Sequence, residues 1–153
     1  MIYIMKNCIF IEEKVIIERS FDLVWNEFKC IFLNSNWNEM LYTQNFPKYV
    51  GEVLPVTVVI KKYKIRMKPK IISIHTGYLQ WEGKLYINSL FNGKHTFILR
   101  KIDEHTTEFR QSEEFKGILI PLFYKAIILP TQNNFKEMNI AFKRYIEEKI
   151  NAL

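Results

Sequence analysis

The chain has 153 residues, 48% hydrophobic and 25% charged, which is the composition and length of one globular domain with one core over residues 1–153. Aromatics reach 15%, with twelve Phe and eight Tyr against only five Gly and five Pro, a balance that argues against disorder, and no internal repeat recurs at a fixed period. The excess of 22 Lys+Arg over 16 Asp+Glu gives +6, which favours acidic surfaces weakly and does not by itself indicate nucleic acid.

The amino terminus, "MIYIMKNCIFIEEKV", is apolar in places, but Lys6, Asn7 and the Glu12-Glu13 pair interrupt it before a signal-peptide core of sufficient length can form. Ile9 to Ser20 is rich in β-branched residues and reads as a first strand. Ser20 then sits as an N-cap, with Asp22 in the first turn, for a short helix over "FDLVWNEFK". "LNSNWNEM", Leu33 to Met40, suits a second short helix before a strand around Leu41 to Asn45. Strands are expected over Val53 to Ile60, Ile65 to Ile74, Tyr78 to Leu85, Lys94 to Ile102 and Thr107 to Phe115, with turns at Thr76-Gly77 and Asn92-Gly93.

After Gly117 the period changes from two to about 3.6. Phe135, Met138 or Asn139, Phe142, Ile146 and Ile150 form the apolar stripe of a long helix whose other face carries Lys136, Lys143, Arg144, Glu147 and Glu148. The run "GILIPLFYKAIILP" is shorter than the roughly 20 residues that span a bilayer, and it contains Lys125 and two prolines. The chain therefore reads as a soluble, cytoplasmic α+β domain. A one-sided antiparallel sheet is the surface on which the long helix buries its stripe, and the wedge between them suits a small molecule.

Two strands place polar groups in line with core residues. His95 shares a face with Phe97 and Leu99, and Gln111 and Glu113 share one with Phe109 and Phe115. A hairpin centred on Glu104 sets Leu99 opposite Phe109, Phe97 opposite Gln111 and His95 opposite Glu113. Trp81, inward on the neighbouring strand, borders the same patch. Such a pair either orients a carbonyl, hydroxyl or phenol of a guest, moves a proton as acid and base, or only fixes the register of the sheet.

Other chemistries lack support. His75, His95 and His105 show no metal-ligand spacing, and no P-loop or G-x-G-x-x-G is present, so neither metal nor cofactor is expected. Cys8 and Cys30 lie in unrelated contexts and read as free thiols of a reducing compartment. In "KKYKIRMKPK", Lys62, Lys64, Arg66 and Lys68 give one strand face a cationic character. That face either protects a sheet edge from pairing or makes weak contact with anionic membrane headgroups, and no nucleic-acid partner is expected from it.

Several segments, in order, resemble the START/polyketide cyclase superfamily (SRPBCC, helix-grip fold), most closely its small stand-alone polyketide cyclase/dehydrase-like branch. They are Phe21-Asp22-Leu23-Val24-Trp25, Trp37-Asn38, Leu79-Gln80-Trp81-Glu82-Gly83, Phe91-Asn92-Gly93-Lys94-His95-Thr96-Phe97, Glu113-Glu114-Phe115-Lys116-Gly117 and Phe135-Lys136-Glu137-Met138-Asn139. The resemblance implies an α+β helix-grip fold, in which a curved antiparallel sheet wraps a long C-terminal helix and two short helices follow the first strand. It also implies a hydrophobic cavity between sheet and helix, for which Trp81, Phe91, His95, Phe97, Gln111, Glu113, Phe115, Phe135, Met138 and Phe142 are the candidate lining residues. Members of the family include cyclases, carriers and regulators, so a carrier or sensor, a cyclase/dehydratase using His95 and Glu113, and a ligand-free interaction module all stay open. Pro130 departs from the family's continuous helix and predicts a kink or break at Ile128 to Thr131.

Overall fold

A computed structural model describes residues 1–31, 37–84 and 90–151. Six antiparallel strands form the main sheet in the order β1-β2-β9-β8-β7-β6: β1 (Ile2–Met5), β2 (Cys8–Ile17), β6 (Lys70–His75), β7 (Tyr78–Lys84), β8 (Asn92–Lys101) and β9 (Thr107–Lys116). A smaller sheet is made of β3 (Leu41–Thr43), β4 (Val56–Ile60) and β5 (Tyr63–Met67). Helix α1 (Phe21–Ile31) follows β2, and the chain closes with α2 (Ile120–Phe123), a π-helical segment (Tyr124–Ile128) and α3 (Leu129–Asn151). The curved sheet wraps the C-terminal helix, which is the helix-grip arrangement. Of the second short helix expected over Leu33 to Met40, residues 33–36 lie outside the described residues, and Trp37 has 3₁₀ geometry.

The β8–β9 hairpin has the register expected from symmetry about Glu104: His95 faces Glu113, Phe97 faces Gln111 and Leu99 faces Phe109. It turns without glycine because Asp103 accepts a hydrogen bond from the His105 N–H at 2.8 Å, and the Ile102 N–H closes the loop on the Thr106 carbonyl at 3.0 Å. On the outer face, Glu108 is buried beneath Arg110, Arg100 and Lys14, its oxygens 2.8, 3.5 and 3.5 Å from their nitrogens. Burial alone would raise its carboxyl pKa, but the Arg110 hydrogen bond and the three positive charges hold it below the usual carboxylate range.

Four expectations change. The stretch Ile65 to Ile74 is two strands in two sheets, because Pro69 has no N–H to offer a ladder and turns the chain between β5 and β6. Asn92 and Gly93, read as a turn, are both inside β8, paired with Lys84 and Gly83 of β7. The apolar residues before Lys6 form an additional edge strand, joined to β2 through a two-residue turn with Asn7 at φ 57°. Finally, the disturbance expected at Ile128 to Thr131 lies one turn earlier. Pro130 crowds the carbonyls that precede it, the helix widens, and the Leu129 N–H reaches back five residues to the Tyr124 carbonyl before α3 continues through the proline.

Helix α3 buries Phe135, Met138, Asn139, Phe142 and Ile146, the stripe read from the sequence; the side chain of Ile150 lies outside the described residues. The centre of the core is aromatic. Phe28 of α1 is fully buried, with its ring 5.3 Å from Phe97, 5.7 Å from Phe109 and 6.2 Å from Phe142. Helix α1 therefore plugs one half of the space between sheet and α3. The segment that leads into β4 is fastened along the start of β6 by backbone bonds, Leu54 N–H to the Pro69 carbonyl at 2.9 Å and Ile71 N–H to the Glu52 carbonyl at 2.8 Å, which holds the small sheet beside the main one. The small sheet covers the other half. No helix among the described residues is long and apolar enough to cross a membrane.

Candidate functional site

In the half that α1 does not plug, the space between the sheets and α3 is a cavity of about 670 Å³. Two cross-strand rows of the main sheet supply its floor. One row runs Trp81 (β7), His95 (β8), Glu113 (β9), and the next runs Gly83, Gly93, Phe115. The roof comes from Ile127, Thr131, Asn134, Phe135 and Met138, and a side wall from Met40 and the small sheet with Leu41, Val58, Ile60, Ile65 and Met67. Phe91 borders the cavity beside Phe115, with ring centroids 5.4 Å apart.

Two glycines explain why there is space. Gly83 and Gly93 are neighbours on the inward face, where every other position on these central strands carries a large side chain. Neither has a positive φ, so their backbone would accept a side chain; room, not conformation, is what glycine provides. The ends of two flexible side chains occupy that room. A Cβ at Gly83 would come within 2.5 Å of the Met67 methyl, and one at Gly93 within 2.5 Å of Glu113 Oε1.

The polar part of the floor is the His95–Glu113 pair. His95 Nδ1 lies 2.9 Å from Glu113 Oε2, with side-chain exposures of 5% and 12%. A carboxylate offers only lone pairs, so Nδ1 carries the hydrogen and donates it. The imidazole is held in an aromatic frame, stacked on Phe97 at 4.2 Å and tilted against Phe135 at 4.8 Å and Trp81 at 5.2 Å. His95 Nε2 is buried and has no hydrogen-bond partner among the described residues. Chemically, the arrangement presents a fixed acceptor within apolar walls.

Seven of the ten candidate residues meet at the cavity: Trp81, Phe91, His95, Glu113, Phe115, Phe135 and Met138. The structure seats the other three in the sealed core. Phe97 and Phe142 are packed around Phe28, and Gln111 donates through Nε2 to Asn139 Oδ1 at 2.6 Å, tying β9 to α3. The reason is the position of α1, which closes the wedge one cross-strand row beyond His95. Sequence reasoning missed the wall from the small sheet and the two glycines. Gly83 carried a usable signal, an isolated glycine late in an alternating strand, which marks a close approach. Of the cationic stretch, Lys64 and Arg66 are exposed on β5, an edge strand, while Arg66 and Lys68 border the cavity together with Lys84 of β7.

No protein-family model matches the chain, and no curated protein matches it. Solved structures do. An aromatase/cyclase, ZhuI, from Streptomyces sp. R1128 superposes with a TM-score of 0.72 at 11% identity, over 94% of this chain and 96% of that one. A START superfamily protein from Mycobacterium smegmatis gives 0.67 at 11% identity, over 91% and 97%. These likenesses show the helix-grip fold. Norcoclaurine synthase from Thalictrum flavum, in complex with dopamine and hydroxybenzaldehyde, shares the helix-grip fold with a TM-score of 0.68 at 15% identity, over 92% of this chain and 87% of that one. At such identities the likeness concerns the fold alone, and the chemistry of the helix-grip cavity rests on the residues of this chain.

Proposed function

We propose that the protein binds a small hydrophobic molecule in the cavity between sheet and C-terminal helix, as a carrier or sensor, in the manner of the small stand-alone polyketide cyclase-like branch. The observation that carries this reading is the cavity itself: about 670 Å³, walled by Trp81, Phe91, Phe115, Phe135, Met138 and the apolar face of the small sheet. That volume lies inside the roughly 300–1,000 Å³ typical of small-molecule sites. Incubation with a panel of neutral apolar compounds, followed by extraction and mass spectrometry of the re-purified protein, is expected to recover one compound per chain. Recovery of none, from the panel or from the protein as purified, would defeat the reading.

The cationic strand gives the carrier a means of loading. Lys62, Lys64, Arg66 and Lys68 lie on or beside β5, close to the cavity rim that Arg66 and Lys68 border, and contact with anionic headgroups there contributes at most about 1 kcal/mol per basic residue. Binding to phosphatidylserine vesicles is expected to fall steeply between low and physiological salt, since exposed charges are screened within about 8–10 Å. Binding that ignores salt, or is absent at low salt, would return these residues to edge protection.

A further inference from the structure

The His95–Glu113 pair uses only one oxygen of the carboxylate. Oε2 takes the Nδ1 hydrogen at 2.9 Å, whereas Oε1 lies over Gly93 and no described residue donates to it. Glu113 borders the cavity, and its side chain keeps 12% of its exposure. Beside the fully buried His95 Nε2, the floor therefore offers a guest a carboxylate oxygen at the cavity whose position is fixed twice. The imidazole holds the carboxylate from one side, and the missing Cβ of Gly93 leaves it a seat on the other. An acceptor so placed is complemented by a donor.

The surrounding charges narrow the donor. Arg66 and Lys68 border the same cavity, as does Lys84, which is paired with Glu82 at 3.9 Å, so an ammonium group would approach Glu113 against an excess of like charge. A neutral hydroxyl meets no such barrier. The walls nearest the pair are aromatic, with Trp81, Phe115 and Phe135 in the lining. Resting on the proposal that the cavity holds a hydrophobic molecule, we infer that Glu113 Oε1 is the docking point for a hydroxyl of the ligand. The site thereby selects neutral, ring-bearing molecules with a phenol or alcohol over equally apolar molecules without one. Gly93 is the positioning residue that allows the carboxylate to stand there, and His95 fixes which oxygen is presented.

Three probes that share the naphthalene frame test this at neutral pH: naphthalene, 2-naphthol and 2-acetylnaphthalene, titrated into the intact protein. A merely apolar cavity prefers naphthalene, since taking a hydroxyl out of water without a partner is unfavourable. The expected result is the reverse, with 2-naphthol tighter than naphthalene by about tenfold and tighter than the ketone. In Glu113→Gln the Nδ1 hydrogen holds the amide oxygen and turns the NH₂ group to the cavity, so the order of 2-naphthol and 2-acetylnaphthalene reverses. Gly93→Ala keeps the carboxylate but displaces Oε1, so 2-naphthol weakens and naphthalene does not. A wild-type protein that binds 2-naphthol and naphthalene equally, or an order of affinities unchanged in both variants, overturns the inference while leaving the cavity reading intact. If none of the three binds the wild type, both fail together.

Discussion

Replacing Phe28 by alanine is expected to lower the stability by about 3–5 kcal/mol, the cost of removing a buried aromatic ring when the site collapses only in part. Phe28 is where three elements meet. It projects from α1 onto Phe97 of β8, Phe109 of β9 and Phe142 of α3, and it is fully buried. Trp25 and Phe46 flank it at 5.6 and 6.1 Å, so its loss leaves a hole bounded by large, rigid side chains that cannot move into it. For a domain of this size each kcal/mol corresponds to roughly 2–4 °C, so melting is expected to fall by about 10 °C. Phe28 does not border the cavity, and probe affinity measured well below the melting point is expected to hold. A shift of only a degree or two would mean that α1 is not a keystone of the core.

Placing a phenylalanine at Gly83 has the opposite profile. The backbone there accepts any L residue, and the new ring projects into space now shared by the cavity and the end of Met67. Glycine inside a strand costs about 0.5–1 kcal/mol relative to alanine, and aromatic residues favour strands, so stability is expected to hold or rise. Binding is where the loss falls. If the ring denies a ligand about 100 Å² of apolar contact, the cost at ~25 cal/mol per Å² is about 2.5 kcal/mol, close to a hundredfold in affinity. Melting curves and probe titrations on the same preparation separate the two effects.

The layout of the domain was legible because it rests on periodicity. The switch from two-residue alternation to the stripe of Phe135, Met138, Phe142 and Ile146 marks where sheet ends and helix begins, and symmetry about Glu104 places His95 against Glu113. Where reading failed, a local signal yielded to tertiary context. Asn92-Gly93 has turn chemistry, yet Gly93 is a strand residue kept small by the carboxylate above it. The alternation on either side of Pro69 reads as one strand from Ile65 to Ile74, whereas the proline divides it between two sheets. The division of the aromatic residues into core and cavity was not legible at all. Phe97 and Phe115 are equivalent as sequence positions, and only the packing of α1 over one half of the sheet seals the first and leaves the second at the cavity.

Titration of the neutral fluorescent probe N-phenyl-1-naphthylamine into the wild-type protein and Gly83→Phe, side by side, tests most directly whether this cavity is a binding site. The expected result is saturable binding at one site per wild-type chain, weakened by about a hundredfold in the folded variant. Equal affinity in the two proteins, or no saturable binding by the wild type, would contradict it.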